Sequence, residues 1–335
     1  MNKKHLFITI VVFLCVLIAA EYFFVKQKSS KRSDYRIALF VPAVHPAMTE
    51  IINGFEETMR SLSNKKYSFD EYNANGNATL LRAQADEIVQ GAYDLTFTIG
   101  VQCSQSLFEL SQKRQSKMSQ VFTAIDDPVE MGIVQSLTHP GGMVTGITDS
   151  MLYEKQVEAL LHVKPDIKTV LLVYNPAQNR GLEQHREELE NVLRAKHIGL
   201  RAVAVAHQNE ITQKVPHFLS DADVLMILTD HTTVAGIDSL ITLCGRYGVT
   251  LFASDLNSGD KGAALSFGVL QKDYGVLGAR LAYRILEDKQ SPASIAVHPL
   301  EETYMKINTK TMEHQGLHLS KERLAQLQKE GVIIL

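Results

Sequence analysis

From residue 36 onward, short apolar runs alternate with longer segments in which apolar positions recur every three or four residues. The run 36–41 (RIALFV) predicts a strand. Residues 46–61 predict an amphipathic helix, because Met48, Ile51, Ile52, Phe55 and Met59 fall on one face. The same reasoning gives strand 67–72, helix 78–90, strand 94–99, helix 104–114, and strands 121–124 and 143–147. The pattern then restarts with helix 151–162, strand 169–173, helix 180–196, strand 200–204, helix 210–219, strand 223–228 and helix 233–247. Strands 250–253 and 263–267, helix 272–286 and a last strand at 304–307 complete it. Strands alternating with helices imply parallel sheets covered on both faces, and two series in succession imply two doubly wound α/β lobes.

The chain before residue 36 has a different character. Lys3 and Lys4 precede an almost unbroken apolar run at 6–20, which extends to Val25 with Glu21 as its one interruption. Residues 1–25 therefore read as a signal peptide or an N-terminal membrane anchor. Residues 26–34 (KQKSSKRSD) form a polar tether. Cys15 follows the large Leu14, which is a poor setting for a lipoprotein cleavage site. Cys103 and Cys244 lack metal spacing and suit buried packing.

With 335 residues and 45% apolar content, the chain is long enough for two lobes with substantial cores. A formal charge of −3 with both signs interspersed gives no footprint for nucleic acid. There is no P-loop, GxGxxG, GxSxG or HExxH, and the twelve histidines are scattered. Nothing in the sequence points to catalysis, a metal or a cofactor.

In open α/β sheets, small molecules bind beyond the carboxyl ends of the strands, so the residues just after each strand are the candidate site. In the first lobe these are His45, then the helix start at Gly100, Val101, Gln102, Cys103 and Ser104, then Asp127 of the Asp126-Asp127-Pro128 turn. Free backbone N–H groups at a helix start suit an anion, and a carboxylate suits a cation. In the second lobe they are Asn175, Asn179, Asp230, His231, Ser254 and Asp255. Each also has a capping or turn explanation: Ser104, Asn179 and Asp255 as helix caps, Asp127 as a turn fixed by Pro128.

Taken in order, these residues resemble a known family. The resemblance rests on His45-Pro46 with Gly54-Phe55, the turn Asn73-Ala74-Asn75-Gly76, Phe122-Thr123-Ala124 with Asp127-Pro128, and Pro140-Gly141-Gly142 with Val144-Thr145-Gly146. It continues through Tyr174-Asn175-Pro176, Asp230, Gly262-Ala263, Asp273-Tyr274 with Gly278, and Asn308. From residue 36 to about 317 the chain is similar to the ABC-transporter substrate-binding proteins, a branch of the type I periplasmic binding proteins that includes tryptophan- and phenylalanine-type binders. It departs from their pattern at Val101 to Ser104, at Met143 and at His231.

The resemblance implies two Rossmann-like lobes joined by a three-crossing hinge, with crossings near Ile147, Phe267 and Val297. One lobe would take 35–147 and 268–296, the other 148–267 and 297–335. It further implies a small ligand in the interlobe cleft, an amino acid, aromatic or branched. The carboxylate would meet the helix start at 102–104 and the ammonium Asp127 or Asp230. Delivery would be to an ABC permease and its ATPase, from the periplasmic side, with the N-terminus in the inner membrane. The alternative is a membrane-tethered sensing module that reports the same ligand to a signalling partner.

Overall fold

The computed structural model describes residues 33–149, 152–178 and 181–335. The segment expected to be a signal or anchor, the tether through Arg32, and Asn179 lie outside the described residues.

The chain divides into two units. One comprises the chain up to Thr148 together with Tyr274–His298, and the other Asp149–Asp273 with Pro299–Leu335. In the first unit, β1 (Tyr35–Val41), α1 (Pro46–Leu62), β2 (Tyr67–Asn73), α2 (Ala78–Gln90), β3 (Leu95–Ile99), α3 (Val101–Lys113), β4 (Ser119–Ile125) and β5 (Val144–Thr148) follow one another. In the second come α4 (Tyr153–Val163), β6 (Thr169–Tyr174), α5 (Gly181–Ala195), β7 (Gly199–Ala204), α6 (Gln208–Lys214), α7 (Pro216–Leu219), β8 (Val224–Ile227), α8 (His231–Ala235), α9 (Ile237–Tyr247), β9 (Thr250–Ala253), α10 (Leu256–Lys261) and β10 (Leu265–Gly268). Helix α11 (Gln271–Leu286) enters the first unit, which ends at β11 (His298–Pro299). β12 (Tyr304–Ile307), α12 (Lys321–Lys329) and β13 (Ile333–Ile334) close the second.

Among the described residues the first sheet has the order β11-β5-β4-β3-β1-β2 and the second β13-β12-β10-β9-β8-β6-β7. The successive parallel strands of each unit thus repeat one doubly wound order, with the reversal between β1 and β3 in the first and between β6 and β8 in the second. Helices covering both faces explain why β3, β8 and β9 are buried along their whole length. The two cores of the second sheet separate by face: Leu172 and Met226 lie in one, Leu171 and Ile227 in the other.

Local chemistry fixes most boundaries. Asn77 caps α2 by accepting from Thr79 and Leu80 N–H at 2.9 and 3.0 Å, and Gly91 ends it. The small residues of α11 set its closeness to the first unit. A Cβ at Gly275 would stand 2.0 Å from the Ile51 carbonyl oxygen, and one at Gly278 would stand 2.4 Å from the Phe97 ring. At Gly275 the obstacle is backbone, so α11 could not approach α1 with a larger residue there.

The structure departs from the expected elements at several points. Helix 210–219 is two, α6 and α7, because Pro216 lacks an N–H and starts the second. Helix 233–247 is likewise two, α8 and α9, divided at Gly236. The helix expected from Ser104 begins at Val101. β12 runs antiparallel to β10, so the second sheet is mixed. It is also not the last element, since α12 and β13 follow it. α10 and β11 are further additions.

Candidate ligand site at the carboxyl edges of the sheets

In the first unit the loops after β1 and β3 meet at the strand-order reversal: a Cβ on Gly100 would touch Pro42 Cγ at 4.0 Å. Gly100 has φ +78 and is the N-cap of α3, without a side chain to close it. Its own N–H donates to the Thr123 carbonyl at 2.9 Å, which fastens the helix start to the end of β4. The next intrahelical bond is Ser104 N–H to Gly100 O at 3.2 Å, so the N–H groups of Val101, Gln102 and Cys103 lie in the unpaired first turn.

The side chains here divide sharply. Gln102 is exposed, whereas Cys103 and Ser104 are fully buried. Ser104 is not the helix cap. Its hydroxyl donates to Gly100 O at 2.8 Å and lies 2.9 Å from Thr98 Oγ1, inside the helix–sheet packing. Gln120 Nε2 completes that buried network by donating to Thr98 Oγ1 and to Ser104 O. Burial pushes the Cys103 thiol up to about 12, which keeps it protonated. What α3 offers at this edge is therefore backbone N–H and the side chains of Val101 and Gln102.

His45 is exposed and caps α1, its Nδ1 accepting from Ala47 N–H at 3.2 Å. Asp127 is exposed after β4, and its Oδ1 accepts from Val129 and Glu130 N–H at 3.0 and 2.9 Å. The turn reading holds for Asp127, and His45 proves to be a helix cap, each alongside its position at the edge.

In the second unit the reversal lies between β6 and β8, and the structure ties the two following loops together. Asn175, 7% exposed, donates through Nδ2 to Thr232 Oγ1 at 2.8 Å and to Ala206 O at 3.3 Å. Its Oδ1 accepts from Ala177 N–H at 3.0 Å. Exposed Gln178 adds a second tie, with Oε1 accepting from His231 N–H at 2.7 Å. His231 is thus held by its backbone while its residue stays exposed.

Asp230 is 1% exposed and caps α8. Oδ1 accepts from Thr233 N–H at 3.0 Å and Oδ2 from Thr233 Oγ1 at 2.7 Å. Asp255 repeats the arrangement on Ser258, at 2.9 and 2.7 Å. Buried Ser254 donates to Oε1 of Gln156 on α4 at 2.9 Å. Of these partners, Gln156 goes unnoticed in the sequence, whereas Gln178 stands out there only as a polar residue before a helix and Thr232 only as a possible cap. Gln178 and Thr232 each stand within three residues of a named site residue, whereas Gln156 is brought in by tertiary packing alone. Among the described residues no three His, Cys, Asp or Glu side chains gather as metal ligands.

Residues 36–330 match the family model described as ABC transporter substrate binding protein. A tyrosine-binding protein of Clostridioides difficile (strain R20291) is 25% identical over 294 residues, which span 86% of this chain and 82% of the relative. Among solved structures, the ligand-free, open form of a Clostridium difficile substrate binding protein with adhesive properties aligns with a TM-score of 0.78 at 20% identity, over 90% of this chain and 99% of that one. An ABC domain from Streptococcus pneumoniae in complex with L-Trp aligns at 0.68 and 22% identity, over 90% and 100%.

Proposed function

The chain belongs to the ABC transporter substrate binding protein family, and from that premise we propose that it captures an amino acid, aromatic in the first instance, outside the cytoplasm and delivers it to an ABC permease and its ATPase. The observation that carries the reading is the pair of ties across the reversal in the second sheet, Asn175 to Thr232 and Gln178 to His231. They hold polar groups from two loops in fixed register at the place where doubly wound sheets bind small molecules. The tyrosine-binding relative and the L-Trp complex favour an aromatic amino acid over a sugar.

In this reading each edge offers its own polar groups to a ligand. Its carboxylate accepts from the first-turn N–H groups of α3, where the helix dipole favours negative charge. Its ammonium meets Asp127 or Asp230, whose carboxylates each have lone pairs beyond those used in capping. His231, Asn175 and Gln178 fix its orientation. No step needs a nucleophile, a metal or a cofactor.

Calorimetry with L-tyrosine, L-tryptophan, L-phenylalanine, L-leucine and a pentose tests the reading. An aromatic amino acid is expected to bind at about 1 μM or tighter, near −8 kcal/mol, and the pentose not at all. Failure of every amino acid to bind refutes it. Asp230→Asn keeps the cap but removes the charge, and Asp127→Ala removes the other carboxylate. If both variants bind as the parent does, the ammonium contact is elsewhere.

A further inference from the structure

The opposite, amino end of the first sheet carries a second kind of surface. The described chain enters there: Ser33 Oγ lies 2.9 Å from Ser68 Oγ, and Asp34 and Lys66 exchange hydrogen bonds at 2.7 and 2.8 Å. The rings of Tyr35 and Tyr67 stack beside this entry, with centroids 5.9 Å apart. The Lys289 ammonium lies 5.1 Å above the Tyr35 ring and donates to its hydroxyl at 3.1 Å. Lys65, Lys66 and Lys289 are all exposed, and so is Leu62, an apolar side chain 40% accessible at the end of α1. Asp34, Asp94, Glu287 and Asp288 are acids nearby, Asp94 accepting from Arg36 N–H at 2.7 Å. Asp34 is engaged by the Lys66 backbone and Glu287 by the Tyr67 hydroxyl at 3.0 Å.

The sequence just before this entry supplies the occupant. Lys26, Lys28, Lys31 and Arg32 fall within seven residues, and directly before them comes the apolar run 6–25. Only seven residues separate that run from Ser33. Lysines, tyrosines and one exposed leucine beside a bilayer-length apolar segment are the composition of a lipid–water interface. Basic residues so placed are drawn to anionic headgroups.

We propose that the amino end of the first sheet, with Leu62, Lys65, Lys66 and Lys289 around the Tyr35–Tyr67 stack, is a docking surface for an anionic lipid bilayer. β1 then runs from the lipid-facing end to the ligand-binding end, about 20 Å at the usual rise per residue. The proposal rests on the apolar run engaging a bilayer and is independent of the ligand.

The full chain in nanodiscs tests it. Discs of phosphatidylcholine alone are compared with discs that also contain phosphatidylglycerol, at low ionic strength, with an amine-acylating ester read by mass spectrometry. Lys65, Lys66 and Lys289 are expected to react about fivefold more slowly in the anionic discs. Lys261 and Lys310 of the second unit should react equally in both. Raising salt to about 0.5 M, where screening shortens the Debye length to about 4 Å, should remove the difference. In K65E/K66E the rate at Lys289 should return to its value in neutral discs. Equal rates in the two lipids, or protection of Lys289 that survives K65E/K66E, would overturn the proposal.

Discussion

Replacing Asn175 by alanine separates the role of this residue in the site from its role in the fold. The change removes three hydrogen bonds, to Thr232 Oγ1, Ala206 O and Ala177 N–H. A typical bond contributes about 1 kcal/mol net, and an orphaned partner costs more when it stays dry. Here the partners can be rehydrated, because Ala177 and Ala206 are exposed and Thr232 is half-buried. The expected stability loss is therefore about 1–2 kcal/mol, which at about 2–4 °C per kcal/mol lowers Tm by a few degrees. Ligand affinity should fall further, by about tenfold or more (about 1.4 kcal/mol), since the free loops must be reordered on each binding event. Thermal melts without ligand give the first quantity and calorimetry at 20 °C below the lowered Tm, roughly, gives the second. An unchanged Kd beside the expected fall in Tm would show that the tie between these loops does not serve binding.

Gln315→Ala should do the reverse. Its side chain accepts from Leu251 and Ala264 N–H and donates to Gly262 O, and Leu251 and Ala264 are fully buried, so about 3 kcal/mol or more is expected to be lost while Kd in the folded protein stays the same. Burial, opposed by a hydrogen bond from Tyr304 and reinforced by the negative charge of Glu302, holds the Asp273 carboxyl above its ordinary value. The folded chain therefore holds this proton more tightly than the unfolded chain does, and stability is lost as pH rises from the unfolded value through the raised one. Asp273→Asn should accordingly raise Tm at pH 7 more than at pH 4, and an equal effect at both would contradict this. Burial pushes both Cys103 and Cys244 thiols far up, so neither should react with iodoacetamide at pH 8 until the protein is unfolded, as mass spectrometry can check.

The sequence was most legible where punctuation and periodicity agree. Helix 78–90 was bounded correctly because Asn77 caps it and Gly91 stops it, and strands 250–253 and 304–307 because turn residues isolate short apolar runs. It was least legible where tertiary contacts override local signals. α10, with the sequence LNSGDK, has poor helix propensity and exists because Asp255 caps it and Gly259 packs against Ser266, where a Cβ would stand 2.2 Å from the hydroxyl. The early start of α3 depends on the positive φ of Gly100, which periodicity does not register. The antiparallel setting of β12 is a pairing across about forty residues, and nothing within TYMKI specifies it.

The candidate site divides in the same way. That these polar residues follow the strands was readable, because polar residues after apolar runs stand out. Orientation was not. Ser104 and Cys103 turn into the core, and this follows from which face of α3 meets the sheet once the helix begins at Val101. The link from Asn175 to Thr232 spans 57 residues and exists because the doubly wound order makes β6 and β8 neighbours. Pairing of that kind is a property of topology rather than of any local motif.

A crystal structure with the tightest-binding amino acid from the calorimetric panel tests the central claim most directly. The account predicts the ligand within hydrogen-bonding distance of the Val101 and Gln102 N–H groups, or of Asn175, Gln178 or His231. A ligand bound away from the carboxyl edges of both sheets would contradict it.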